Sequence, residues 1–229
     1  MLRPKKKFSR KELKEDALVT WYVRLRTLYD TNRRAISIAI TVVVLAVAGV
    51  LVYLKNRSDH NEAAITALGT VFEMYDAGQY QTAVDGVPER NIKGLKAIVD
   101  DYGNSPTGDL ARFYLANALY QLGRYDEALK AYDDFSPSGE LLSVARLSGL
   151  GACQEAKGEF PKAAAQFEKA ATQYPSDVNA AEYLNDAARD YGQAGEKEKA
   201  IDLYRRIKKN YPTSAFARDA DRFIAQLSA

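Results

Sequence analysis

Residues 109–135 read DLARFYLANALYQLGRYDEALKAYDDF, and the pattern of this stretch decides the fold. Apolar residues recur every three or four positions before Gly123 and again after it, which predicts two helices with apolar faces. A glycine placed directly after such a segment is typical of the end of a helix. The stretch therefore predicts two helices joined by a tight turn at Gly123.

The same pattern returns in two later segments, residues 144–175 and 181–212. The turn glycines are 35 and 37 residues apart. Each is followed by an alanine and then an aromatic residue at fixed distances, and the last two units end in proline. The aligned residues are Gly123, Gly158 and Gly195; Ala128, Ala163 and Ala200; Tyr132, Phe167 and Tyr204; and Pro175 with Pro212. In the second unit, Gly151 is expected to let the paired helix approach closely.

These units resemble tetratricopeptide repeats, whose period is about 34 residues. The resemblance implies an all-α fold in which helix pairs stack into a superhelix with a concave groove. We expect repeats at 61–106, 109–143, 144–180 and 181–213, and a capping helix at 214–227. The first repeat is degenerate, with an insertion near residues 85–93, and Ser214 is expected to cap the last helix.

An uncharged run precedes the repeats: residues 35–54 read AISIAITVVVLAVAGVLVYL. A helix of this length spans about 30 Å, the thickness of a bilayer core. Arg33, Arg34, Tyr53 and Lys55 flank it, as expected at membrane interfaces. We therefore predict one transmembrane helix, followed by a linker at 55–60 and a repeat domain at 61–229. Cleavage after Ala48 as a signal peptide is the alternative.

The charges on the two sides of this run have opposite sign. Residues 1–34 carry eleven basic and four acidic side chains, a net charge of +7. The residues after 54 carry 21 basic and 26 acidic side chains, a net charge of −5. The total of +2 is the sum of these two opposite charges. Because positive flanks stay cytoplasmic, we predict a single span with the N-terminus in the cytoplasm and the repeat domain on the opposite side of the membrane.

The basic arm itself contains a predicted helix. Ser9 and Glu12 match a capping box, and apolar residues including Trp21, Leu25 and Leu28 recur at helical spacing up to about Asn32. This amphipathic helix is expected to fix orientation, and it could also lie on anionic lipid or on a membrane partner. Nucleic-acid binding by Lys5–Lys7 is weakly indicated and not expected.

A binding groove is expected along the first helix of each repeat. The family pattern places candidate protein-binding residues there: Leu110, Phe113, Asn117, Tyr120 and Gln121; Ala145, Ser148, Ala152, Glu155 and Ala156; and Glu182, Asn185, Arg189 and Gln193. No set of basic residues is present that would clamp a peptide carboxylate, so an extended polypeptide is the expected ligand. The alternative is that Phe113 and Tyr120 only pack between helices.

Composition argues against catalysis. One histidine, His60, and one cysteine, Cys153, make His-based or multi-cysteine chemistry improbable, and no phosphate-binding loop is present. We expect His60 to be a surface residue and Cys153 to be a small buried one. The sequence therefore predicts a binding protein with no catalytic site, metal, cofactor or small-molecule substrate.

The whole layout resembles the ancillary subunit family of the SecYEG translocon. The resemblance is carried by the span, by DDYGNSPTGDLARFYLANALYQLGRYDEAL at residues 100–129 and by KKKFSRKELKEDALVTWYV at residues 5–23. It implies a bacterial inner-membrane protein with a periplasmic repeat domain. It also implies a role beside the translocon, handing emerging polypeptides to chaperones, with translocon subunits, unfolded clients or periplasmic chaperones as partners. Two alternatives remain: a structural subunit of a membrane complex, and an envelope scaffold for cell-wall or outer-membrane assembly.

Overall fold

A computed structural model describes residues 10–229, with side chains from residue 19 onward. The predicted capping box at Ser9 and the basic residues Lys5–Lys7 lie outside the described residues. The chain divides into two compact units with a boundary after Arg57, and the second unit is Ser58–Ala229.

One helix and the first part of a second helix make up the described part of the first unit. Helix α1 is Arg10–Thr31, as the periodicity of the arm predicted, and α2 starts at Arg33 and continues to Asp76. The apolar residues of the predicted face, Trp21, Leu25 and Leu28, are exposed on α1. Other apolar side chains outside that face, such as Val23, are exposed as well.

The uncharged run lies in the first part of α2. It is long and apolar enough to cross a membrane, and none of its most apolar window is buried. A signal sequence near an N-terminus would share these properties. Residues 55–60, where a linker was expected, continue the same helix.

The second unit is built from stacked helix pairs, and the fold is all-α apart from a small hairpin. After α2, the helices are α3 (Tyr80–Asp85), α4 (Leu95–Tyr102), α5 (Pro106–Gln121), α6 (Tyr125–Asp134), α7 (Glu140–Ala156), α8 (Phe160–Gln173), α9 (Ala180–Gln193), α10 (Lys197–Asn210) and α11 (Ala215–Ser228). The pairs α5–α6, α7–α8 and α9–α10 are the three regular repeats, and they stack into the predicted superhelix.

Glycines with positive φ end the first helix of each pair. Gly78, Gly123, Gly158 and Gly195 have φ of 71°, 72°, 75° and 80°, a left-handed conformation that glycine adopts without strain. In each turn the residue after the glycine donates a backbone hydrogen bond to the preceding helix, as from Glu159 to the carbonyl of Gln154 at 2.8 Å. The four equivalent turns confirm the repeat alignment, including the degenerate first unit.

The insertion in the first unit is a two-stranded antiparallel hairpin. Strands β1 (Gly86–Val87) and β2 (Ile92–Lys93) pair around a short 3₁₀ turn at Pro88–Arg90. Gly94 begins the next helix so close to β1 that a Cβ there would lie 2.3 Å from the Gly86 nitrogen. The sequence predicted the position of this insertion but not its strands.

Buried alanines and large residues alternate in the core between paired helices. In α8, Ala163 and Ala170 are fully buried and Phe167 nearly so, as predicted. A Cβ on Gly151 would lie 2.9 Å from the Phe167 ring, which confirms that this glycine permits the close approach of α7 and α8. Ser214 caps α11 by accepting a hydrogen bond from the Ala217 nitrogen at 3.1 Å, also as predicted.

Candidate protein-binding groove

The candidate residues of the first regular repeat lie among aromatic side chains. Phe113 is half-buried, with ring centroids 5.4 Å from Phe135 and 6.1 Å from Tyr132. Asn117 accepts a hydrogen bond from the Tyr132 hydroxyl through Oδ1. Leu110 is half-buried against the same core. Packing therefore holds this end of the candidate groove in one arrangement.

Tyr120 and Gln121 lie at the end of α5 next to the turn. The Tyr120 ring is 5.6 Å from that of Tyr125, and burial raises the pKa of its hydroxyl. Gln121 is exposed. Of the candidates on this helix, Gln121 is thus the one that a partner could contact without disturbing the core.

A further aromatic residue, Tyr114, was missed among the candidates. Its ring makes edge contacts with Phe72 at 5.0 Å and with Tyr75 at 5.3 Å. It stands nine residues before Gly123. The equivalent residues in the next two repeats are Gly149, nine before Gly158, and Asp186, nine before Gly195.

The middle candidates lie on α7 and have small or short side chains. Ser148 is half-buried and donates a hydrogen bond to the Ala145 carbonyl at 3.1 Å. Ala152 is half-buried and Ala156 is exposed. This part of the candidate surface offers few side-chain donors or acceptors before Glu155.

Glu155 and Arg189, both candidates, meet across two repeats. Arg189 on α9 donates through Nη2 to Glu155 Oε1 at 2.8 Å and through Nη1 to Asp186 Oδ1 at 2.9 Å. Two acidic residues that sequence analysis missed, Asp186 and Asp190, join the group, and Asp190 Oδ1 lies 4.0 Å from Arg189 Nε. The remaining α9 candidates are Glu182 and Gln193, which are exposed, and Asn185, which is half-buried.

The cluster contains three carboxyl groups and one guanidinium. The pKa values of Asp186, Arg189 and Asp190 are all raised. Burial raises the pKa of Asp190 to about 7, and the negative charges of Glu155 and Asp186 add to the increase. Burial also raises the pKa of Asp186, although Arg189 opposes the change. Desolvation would lower the pKa of Arg189, but the surrounding carboxylates outweigh it and raise that pKa.

The histidine and the cysteine lie in the surroundings that the sequence predicted for them. His60 is exposed, with its ring 6.2 Å from Tyr102, and Cys153 is fully buried, as predicted. Among the described residues there is no group of three possible metal ligands.

A stack of helix pairs with an aromatic and an acidic surface defines a helical-repeat binding protein. Family models of the tetratricopeptide repeat match residues 95–139 and 142–213, so these residues form tetratricopeptide repeats. Proteins built on such repeats generally serve as non-catalytic scaffolds for protein–protein interaction. No curated protein matches this chain.

Proposed function

We propose that the chain is a single-pass inner-membrane adaptor whose periplasmic repeat domain binds secretory proteins, their chaperones or the translocon itself. The opposite charges of the arm and the repeat domain, on either side of the uncharged run at 35–54, carry this proposal. Such an asymmetry matches the rule that basic flanks remain in the cytoplasm. Trp21, Arg33, Arg34, Tyr53 and Lys55 are the proposed interface residues.

The candidate groove supports a polypeptide ligand. Half-buried aromatic rings around Phe113 provide surface for apolar side chains, and Asn117 and Gln121 carry amides that can bond an extended backbone. Glu155 and Arg189 add charged groups further along. Partners of this kind suit a protein that meets polypeptides as they leave the membrane.

Photocrosslinking from the full chain tests the proposal. A photoreactive amino acid at the exposed Gln121 is expected to trap translocon subunits, unfolded secretory proteins or chaperones in intact cells. The matched control is the same amino acid at Lys130, an exposed position on the second helix of that repeat. Crosslinks from neither position, or equal crosslinks from both, would contradict a groove that binds such partners.

A structural subunit of a membrane complex is the second candidate. The exposed apolar surface of α1, with Trp21, Leu25 and Leu28, favours it because such a surface suits assembly with other membrane proteins. Deletion of residues 61–229 separates the two candidates. A complex that still co-purifies at fixed stoichiometry after the deletion would favour assembly through the first unit over binding through the groove.

A further inference from the structure

Asp190 occupies a position where the other two regular repeats have small, uncharged side chains; the degenerate first repeat has Glu73 there, which is exposed. It stands five residues before its turn glycine, as Ala118 and Cys153 do before theirs, and all three residues are fully buried. Neither carboxyl oxygen of Asp190 has a hydrogen-bond partner. Burying an unpaired acid opposes folding, so its presence at a site that accepts alanine points to a use other than packing.

The only cation in contact with this cluster, among the described residues, is already shared. Arg189 directs Nη1 and Nη2 to Asp186 and Glu155, and its Nε stays 4.0 Å from Asp190. Glu182, one turn before Asp186 on α9, contributes further negative charge. One guanidinium therefore faces three acidic side chains, with Glu182 as a fourth negative charge near Asp186.

Solvent reaches the front of this cluster. The side chains of Glu155, Asp186 and Arg189 are 32%, 20% and 44% exposed. Each carboxylate has about four acceptor positions, and Arg189 takes one from each of its two partners. Glu155 and Asp186 therefore keep free acceptor positions and are partly reached by solvent, whereas Asp190 is buried.

We propose that Glu155, Asp186 and Asp190 form an acidic pocket that receives a lysine or arginine side chain from an extended segment of the bound protein. Glu155 and Asp186 accept hydrogen bonds from the incoming cation, and that cation favours the ionised form of the buried Asp190. Charge-assisted hydrogen bonds of this kind are stronger than neutral ones. The inference rests on the proposed function, because it assumes that the repeat domain binds polypeptides.

The chemistry of the cluster favours this ligand over other charged ones. An excess of carboxylates repels phosphate and carboxylate groups, and no metal-ligand group of three exists among the described residues. A lysine ammonium has three donors and no acceptor, which matches a site made of acceptors. The pocket would select basic segments and disfavour acidic ones.

Peptide binding to the full chain in lipid nanodiscs tests the proposal. The probe is a fluorescent, unstructured peptide of glycine, serine and lysine, compared with the same peptide carrying acetyl-lysine. We expect the acetylated peptide to bind at least about tenfold more weakly. The double variant Glu155→Gln, Asp186→Asn is expected to lose a similar factor for the lysine peptide.

Two further variants make the result specific. Asp190→Asn keeps the side-chain volume and removes the charge, so it tests the pocket even if the double variant fails to fold; we expect about fivefold weaker binding of the lysine peptide. Glu198→Gln, Asp202→Asn removes two exposed acids from α10 of the same repeat and makes the same change in net charge. This control is expected to bind the lysine peptide normally.

Equal binding of the lysine and acetyl-lysine peptides, or an equal loss in the α10 control, would overturn the pocket. The proposed function has its own test: it is contradicted if a photoreactive amino acid at Gln121 gives no specific crosslinks. Crosslinked partners at Gln121 without any preference for lysine would therefore overturn the acidic pocket alone.

Discussion

The ring of Tyr132 fills the space where Gly149 lacks a side chain. A Cβ on this glycine would lie 2.3 Å from Cζ and 2.6 Å from the hydroxyl oxygen of the tyrosine. The same hydroxyl donates a hydrogen bond to Asn117, so Tyr132 on α6 contacts α5 and α7 together. Stacking of the first two regular repeats depends on this aromatic ring and on the absence of a Cβ.

Replacement of Gly149 by alanine is therefore expected to destabilise the repeat domain. The added methyl group must displace a ring that is nearly fully buried, and overpacking of this kind costs about 1–3 kcal/mol. Urea unfolding of the full chain, followed by circular dichroism at a helical wavelength, measures the change.

Gly69 provides the matched control for Gly149→Ala. It also lies within a helix, α2, but a Cβ there would meet nothing within 4 Å. Gly69→Ala is expected to raise stability by up to about 1 kcal/mol, because alanine favours the helix more than glycine does. If both substitutions raised stability, the tight fit of Tyr132 against Gly149 would be refuted.

The helical framework could be predicted from the sequence because its determinants are local. Gly123, Gly158 and Gly195 end helices through their own backbone conformation, and Pro161 starts α8 within the first turn. Ser214 caps α11 through a residue three positions away. Each signal acts within a few residues of the element that it defines.

The cluster of Arg189 with its acidic neighbours could not be predicted because it depends on contacts between distant residues. Arg189 and Glu155 are 34 positions apart, and only the packing of α9 on the preceding pair, α7–α8, brings them together. Asp190 occupies a core position of the repeat, where a charged side chain gives no periodic signal. The hairpin was missed because its two-residue strands are too short to show alternation.

The buried carboxyl of Asp190 is expected to make stability depend on pH. In the folded protein its pKa is raised to about 7, whereas an unfolded aspartate titrates near 4. Between these values the native state binds more protons than the unfolded state, so the contribution of Asp190 to stability falls as pH rises through this window. Asp190→Asn removes this dependence.

Urea unfolding of the wild type and Asp190→Asn across this pH range measures the effect. The free energy of unfolding of the variant, relative to wild type, is expected to increase by about 2–4 kcal/mol from pH 4 to pH 8. Asp202→Asn, at an exposed position on α10, serves as the control and should track the wild type. Parallel curves for all three proteins would show that Asp190 does not titrate in this window.

Cys153 is expected to be unreactive in the folded protein. The residue is fully buried, and burial raises the pKa of its thiol to about 12, so almost no thiolate forms at neutral pH. A maleimide reagent should label the thiol only after unfolding, which mass spectrometry of the intact chain can follow. Rapid labelling under native conditions would contradict the burial of Cys153 between the helices.

An unreactive native cysteine allows introduced cysteines to report the membrane orientation. Asp126→Cys places a thiol on α6 at a side chain that is 85% exposed, and Thr31→Cys places one before the uncharged run. A reagent that cannot cross the membrane, added to spheroplasts, is expected to label the first and to reach the second only after permeabilisation.

The charge distribution further predicts what controls this orientation. Arg33 and Arg34 are the basic residues nearest to the run on its first side, and replacement of both by glutamate removes two of the positive charges on which the predicted orientation rests. The double variant is expected to give a mixed population, with some label at position 31 before permeabilisation. The control, Lys55→Glu and Arg57→Glu on the other side, should keep or strengthen the original orientation, because basic residues there oppose export of the repeat domain. If labelling at position 126 stays complete in both variants, the remaining basic residues of the arm set the orientation. If the reagent labels position 31 of the wild type before permeabilisation, the predicted orientation is refuted.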